Sequence, residues 1–185
     1  MKNYKLLRLP LILFLMLPLA TLAQNDFCQS FTTVKIAMED GFKPFKAAKP
    51  TETTNDYGVM VITTKKWNST YRFPESLSAD ITEVLRVAAD PNNAGHNIYI
   101  TFNFAKNSTR AVAEAAFNKM KDNIKLCSPA NWKLEERSGN TYARYSLMNG
   151  AHYDDSPRKI TLQYSKLEGP GDRYTADLIF DSAVK

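Results

Sequence analysis

The sequence predicts an α+β domain built as a two-layer sandwich, with two antiparallel helices on one face of a mainly antiparallel sheet, in the order helix–strands–helix–strands. Three observations lead there. Two segments carry apolar residues at helical spacing, and each holds one of the chain's two cysteines. The stretches between and after them alternate apolar and polar residues with period two, as half-buried antiparallel strands do. The length, once the first residues are set aside, suits one core.

Those first residues form a separate signal. "MKNYKLLR" places Lys2, Lys5 and Arg8 before the apolar run "LPLILFLMLPLA", and "TLA" supplies small residues ending at Ala23. A charged start, a short apolar run and a small-residue exit make a secretory signal peptide, too short for a comfortable membrane span. Cys28 follows "QNDF" rather than the apolar run itself, so a lipid-modified N-terminal cysteine is not expected. The expected division is a cleaved signal peptide at 1–23 and a single α+β domain at 24–185. The mature chain should be secreted, to a periplasm or the extracellular space, with no stable membrane insertion. Without Lys2, Lys5 and Arg8, the 24 Lys/Arg become 21 against 19 Asp/Glu, so the net charge falls from +5 to +2. That small excess, with no basic run longer than a pair such as Lys65–Lys66, argues against nucleic acid as a partner.

The first helix is read in "NDFCQSFTTVKIAMEDG", where Phe27, Phe31, Val34 and Met38 share one face. Asn25 or Asp26 can cap its start, and Gly41 can end it. The segment 45–56, with Pro, Thr and charge but no apolar period, reads as a surface crossing. Strands are expected at 57–64 and 67–73. Residues 78–90 fit a helix through Leu77, Ile81 and Ala88 and also a β-branched strand; the strand is preferred because the next segment needs a neighbour. That segment, 97–104, sets Ile98, Ile100, Phe102 and Phe104 against Tyr99, Thr101 and Asn103. The second helix follows, with Ala113, Phe117, Met120, Ile124 and Cys127 in a stripe, Ser108 or Thr109 as N-cap and Pro129 beyond its end. "WKLE" and "YARYSL" are joined by "ERSGNT" at 136–141, and strands at 159–165 and 173–180 by "EGPGD" at 168–172.

Cys28 and Cys127, in an oxidising compartment and without a redox or zinc spacing, are expected to form one structural disulfide. Such a bridge would clip the start of one helix to the end of the other. The order of elements resembles, in outline, that of bacterial secretion chaperones and other paired helix-plus-sheet domains. No residue motif accompanies the likeness, so it implies an architecture and no function.

Candidate chemistry concentrates in "GAHYDDSPRK", 150–159, which sets His152 beside Asp154 and Asp155. These are the residue types of a general base and its orienter, or of metal ligands. Side chains two apart in an extended loop do not by themselves converge, and His96 is expected in a different inter-strand loop. The segment is therefore read as strand punctuation, with Arg158 starting the next strand. No G-x-S-x-G, H-E-x-x-H or phosphate-loop pattern occurs. No catalytic residue, metal ligand or cofactor is assigned.

What remains is a polar sheet face. Tyr99, Thr101 and Asn103, with Thr161 and Gln163 and with Thr175 and Asp177, should lie on the side away from the helices. Hydroxyl, amide and aromatic groups there could meet a partner protein. Trp67 and Trp132 are read as core before platform. The sequons at Asn68 and Asn107 would matter only in a host that reads them. The functional expectation is a secreted, non-catalytic binding module whose partner is an envelope or extracellular protein. The alternatives are a metal-dependent or His/Asp hydrolase on the His152/Asp154/Asp155 loop, and a glycan-binding module.

Overall fold

The computed structural model describes residues 26–150 and 157–183. The expected signal peptide at 1–23 lies outside the described residues, as do His152, Asp154 and Asp155. Helix α1 covers 26–37 and tightens into a 3₁₀ turn at Met38–Asp40. Gly41 stops it at φ 61°, the left-handed cap that glycine adopts without a Cβ penalty. Phe27, Phe31, Val34 and Met38 are buried along one side, as their spacing requires. Helix α2, Arg110–Cys127, is capped by Thr109, whose hydroxyl accepts from the Val112 N–H at 3.4 Å. At its other end the Ser128 hydroxyl donates to the Ile124 carbonyl at 2.7 Å. Cys28 and Cys127 form a disulfide with Cα atoms 5.2 Å apart, joining the start of α1 to the end of α2.

Eight strands make the rest: β1 Thr51–Asp56, β2 Met60–Asn68, β3 Ser78–Ala88, β4 Gly95–Ser108, β5 Lys133–Gly139, β6 Tyr142–Met148, β7 Arg158–Lys166 and β8 Tyr174–Ala183. They pair antiparallel in one sheet, in the order β1-β2-β3-β4-β8-β7-β6-β5. Two four-strand meanders therefore meet at β4 and β8. The main core lies against the middle of the sheet. Phe180 of β8 has ring centroids of Phe31 at 5.3 Å and Phe102 at 6.2 Å, and Phe117 of α2 meets Tyr164 of β7 edge-on at 5.4 Å.

The expected two-layer sandwich, with two antiparallel helices forming a layer on one face of the sheet, is corrected. The molecule is mostly one eight-stranded antiparallel sheet; one helix is the first described element and the other sits between the two strand runs. Width is the physical reason. Eight strands spaced about 4.8 Å apart extend over roughly 34 Å, and a helix with its side chains is about 10 Å across. α2 rests on β4, β7 and β8, while β1 is exposed at all six residues and β5 at all but one of seven.

Three local expectations also change. The supposed crossing at 45–56 contains β1, and 57–64 is split by a tight turn in which Gly58, at φ 78°, donates its N–H to Asp56 Oδ1 at 2.7 Å. Thr51–Asp56 lacks an apolar period because neither of its faces is covered, so period two had nothing to report. The β5–β6 connection is tighter than expected: Gly139 pairs with Tyr142, leaving Asn140 and Thr141 as a two-residue turn.

Candidate functional site

The register places the expected polar residues on one face of the sheet. Asn103 lies across from Asp177 and Asp177 across from Gln163; Thr101 and Thr161 both face Ile179; Tyr99 faces Asp181. Several are not available to a partner, however. Thr161, Thr175 and Asp177 are buried, and the polar groups are spent on one another. The Asn103 amide donates to Thr175 Oγ1 at 2.9 Å and to Asp177 Oδ1 at 2.6 Å, and the Thr175 hydroxyl lies 3.0 Å from the Ala105 carbonyl. Burial pushes the Asp177 carboxyl above its usual range, against the smaller opposing pull of Asn103, Thr175 and Lys106. Asp181 is pushed up for the same reason, opposed by Lys159. Of the tryptophans, Trp132 packs against the core, and Trp67, also partly buried, carries Lys46 Nζ 4.1 Å above its ring.

A different arrangement appears where α1 ends. The Met38–Asp40 turn, the Lys43–Phe45 turn, β3, β4 and the start of β7 enclose an open cleft of about 660 Å³. Ile98 and Met38 line its apolar part, and Glu39, Lys46, Glu83, His96 and Arg158 reach its surface. Glu83 sits between two partners: its Oε1 is 2.6 Å from His96 Nε2, and its Oε2 is 3.4 Å from Lys46 Nζ. Burial works to raise the Glu83 carboxyl. The His96 hydrogen bond and the charge and hydrogen bond of Lys46 together outweigh it, holding the group below its usual range. Farther along, Arg158 donates from a terminal nitrogen to Glu39 Oε1 at 3.1 Å.

The sequence reading missed this cluster because it placed His96 in a loop. His96 is the second residue of β4, across from Leu85. One signal was present: in "ADITEVL" Glu83 falls in phase with Ala79 and Ile81, an acidic residue on the side of the strand that packs inward. A carboxylate in such a position calls for polar partners; Lys46 supplies a charge and His96 a hydrogen bond. Among the described residues, no group of three or more His, Cys, Asp or Glu side chains could hold a metal ion.

The third feature is a wing. β1, β2 and β3 extend beyond the strands on which α2 rests, and they hold apolar side chains in water: Tyr57 is 61% exposed, Val59 77%, Leu85 42% and Val87 58%. Tyr57 and Val59 stand at the tip of the β1–β2 hairpin, and Leu85 and Val87 lie two apart on β3, hence on one face. No described helix is long and apolar enough to cross a membrane. No protein-family model matches the chain, no curated protein matches it in sequence, and no solved structure matches it.

Proposed function

We propose that the protein is a secreted, non-catalytic binding module that docks a partner protein of the envelope or extracellular space through the β1–β3 wing. The observation that carries this reading is the solvent exposure of Tyr57, Val59, Leu85 and Val87. Apolar surface gains about 25 cal/mol per Å² when removed from water, and clustered exposure on a rigid scaffold is what interaction surfaces present. The edge adds to it: β1 ends the sheet, and "TETTND" has neither the proline nor the lysine that commonly blunts a free edge. β5, at the opposite edge, is guarded by Lys133, Glu135, Glu136 and Arg137. The secretory reading of 1–23 and the Cys28–Cys127 bridge support the compartment, since such bridges persist where it is oxidising.

The test uses the mature chain, Gln24–Lys185, with its disulfide intact, immobilised and exposed to native envelope extract and culture fluid. A Val59→Lys/Val87→Lys double variant is run beside it. The expected result is a protein retained by the wild type and lost by the variant at an unchanged melting temperature. Equal retention by both, or none by either, would remove the wing from consideration.

A further inference from the structure

The cleft at the end of α1 adjoins the wing at Leu85, which lies across from His96, but shares no lining residue with the wing's exposed apolar side chains and has a different chemistry. Among the described residues its charged lining is balanced: Lys43, Lys46 and Arg158 stand with Glu39, Asp40 and Glu83, and His96 beside them. A simple anion or cation entering such a lining meets its own sign as often as the opposite one. Among the described residues the lining contains no Phe, Tyr or Trp, the side chains on which sugars and nucleobases most often stack. The volume, about 660 Å³, lies within the usual range for small-molecule pockets.

From this balance we infer that the cleft binds a small zwitterion, an α-amino acid or short peptide with a free ammonium and a free carboxylate. The ammonium goes to the Glu39–Asp40 side, where two carboxylates stand at the C-terminal end of α1. The helix dipole adds a negative potential at that end. The carboxylate goes to Arg158 and Lys46. Glu39 engages one terminal nitrogen of Arg158, and a guanidinium has five N–H donors in a planar fork suited to a carboxylate. Lys46 contributes a point charge held in place by Glu83 and by the face of Trp67. The existing ion pairs pre-position these groups, so a ligand orders few side chains on arrival.

The experiment is isothermal titration of the oxidised mature protein with free L-amino acids and dialanine, alongside N-acetylated dialanine, dialanine amide and glucose. Binding by the free compounds at millimolar concentration is expected, weakened at least about tenfold when either end is blocked, the loss that one charge-assisted hydrogen bond represents. Glucose should give no heat. Arg158→Gln should weaken dialanine by a similar factor, with Lys46→Met as a second variant should the first fail to fold. Val59→Lys/Val87→Lys should bind dialanine normally, which separates this site from the wing. Equal affinity for blocked and free dialanine, binding unchanged in Arg158→Gln and Lys46→Met, or no binding by any compound would overturn the inference.

Discussion

The half of the sheet made by β5–β8 and the half made by β1–β4 follow the same antiparallel meander and meet at β4 and β8. Their burial differs sharply. In β6, β7 and β8 residues on both faces are closed to solvent, including Ser146 and Thr161 on the face opposite Leu147 and Leu162. β1 is exposed throughout, and β2 reaches only intermediate burial. Strands β6, β7 and β8 are held by packing. The β1–β2 margin is held by ladder hydrogen bonds and weak cross-strand pairs such as Thr54–Thr63, 3.3 Å between hydroxyls, and Glu52–Lys65 at 3.7 Å. A single topology thus joins packed central strands to a margin whose side chains stay exposed.

The sharpest way to break this arrangement is to cut the Cys28–Cys127 bridge, which ties α1 to α2 across 99 residues of sequence. In the chain-entropy picture a loop of that length contributes at most about 4–5 kcal/mol. Cys28→Ser and Cys127→Ser should each lower the denaturant midpoint strongly, and a reductant should lower the wild type to match. Unchanged midpoints in all three would mean that packing alone holds the helices in place.

Next in size is a matched pair of truncations, one in each region. Phe180 is fully buried among Phe31, Phe73 and Phe102, and Phe180→Ala should cost about 3–5 kcal/mol. Val87→Ala on the wing should stay within about 0.5 kcal/mol. Equilibrium unfolding of both variants measures the contrast directly, and similar losses would mean that the wing belongs to the cooperative core.

The packed elements were far more legible in the sequence than the exposed outer strands, for a physical reason. Hydrophobic periodicity records burial, so the stripes through Phe27–Met38 and Ala113–Ile124 and the alternation around Ile98–Phe104 identified α1, α2 and β4 with their inward faces. β1 buries nothing and left no period, so it was read as a crossing. The sandwich failed because periodicity tells which face of a strand is covered locally and says little about how many strands share one sheet. The cleft was hidden for another reason: Lys46, Glu83, His96 and Arg158 come from four places in sequence; pairing register brings Glu83 and His96 together, and the chain after the Lys43–Phe45 turn brings Lys46 to them.

A smaller effect tests the helix that packs on the second half. Thr109 is the side-chain cap of α2, and Thr109→Ala should cost about 1 kcal/mol by chemical denaturation. Thr109→Asn should recover most of that loss. Failure of Asn to recover it would assign the effect to something other than the cap.

The smallest expected effect separates the two halves by the sign of their response to acid. Glu83, in the first half, has a folded pKa below its ordinary 4.5, so the unfolded chain binds more protons in that interval. Its contribution is present above the unfolded value and is lost as pH falls through the folded one. Asp177 and Asp181, in the second half, have folded values above the ordinary 3.8. Their contribution is present below 3.8 and is lost as pH rises through the folded values. Acidification therefore weakens the Lys46–Glu83–His96 corner while relieving the buried carboxylates of β8. Glu83→Gln should flatten the loss of stability on the acid side, and Asp177→Asn should steepen it, because the offsetting gain disappears. Unfolding free energies measured from neutral pH down through both ordinary carboxyl values would show curves diverging in opposite directions from the wild type. Two variants shifting the same way would mean that the corner and the buried face titrate as one system, and that the halves are electrostatically less independent than their burial suggests.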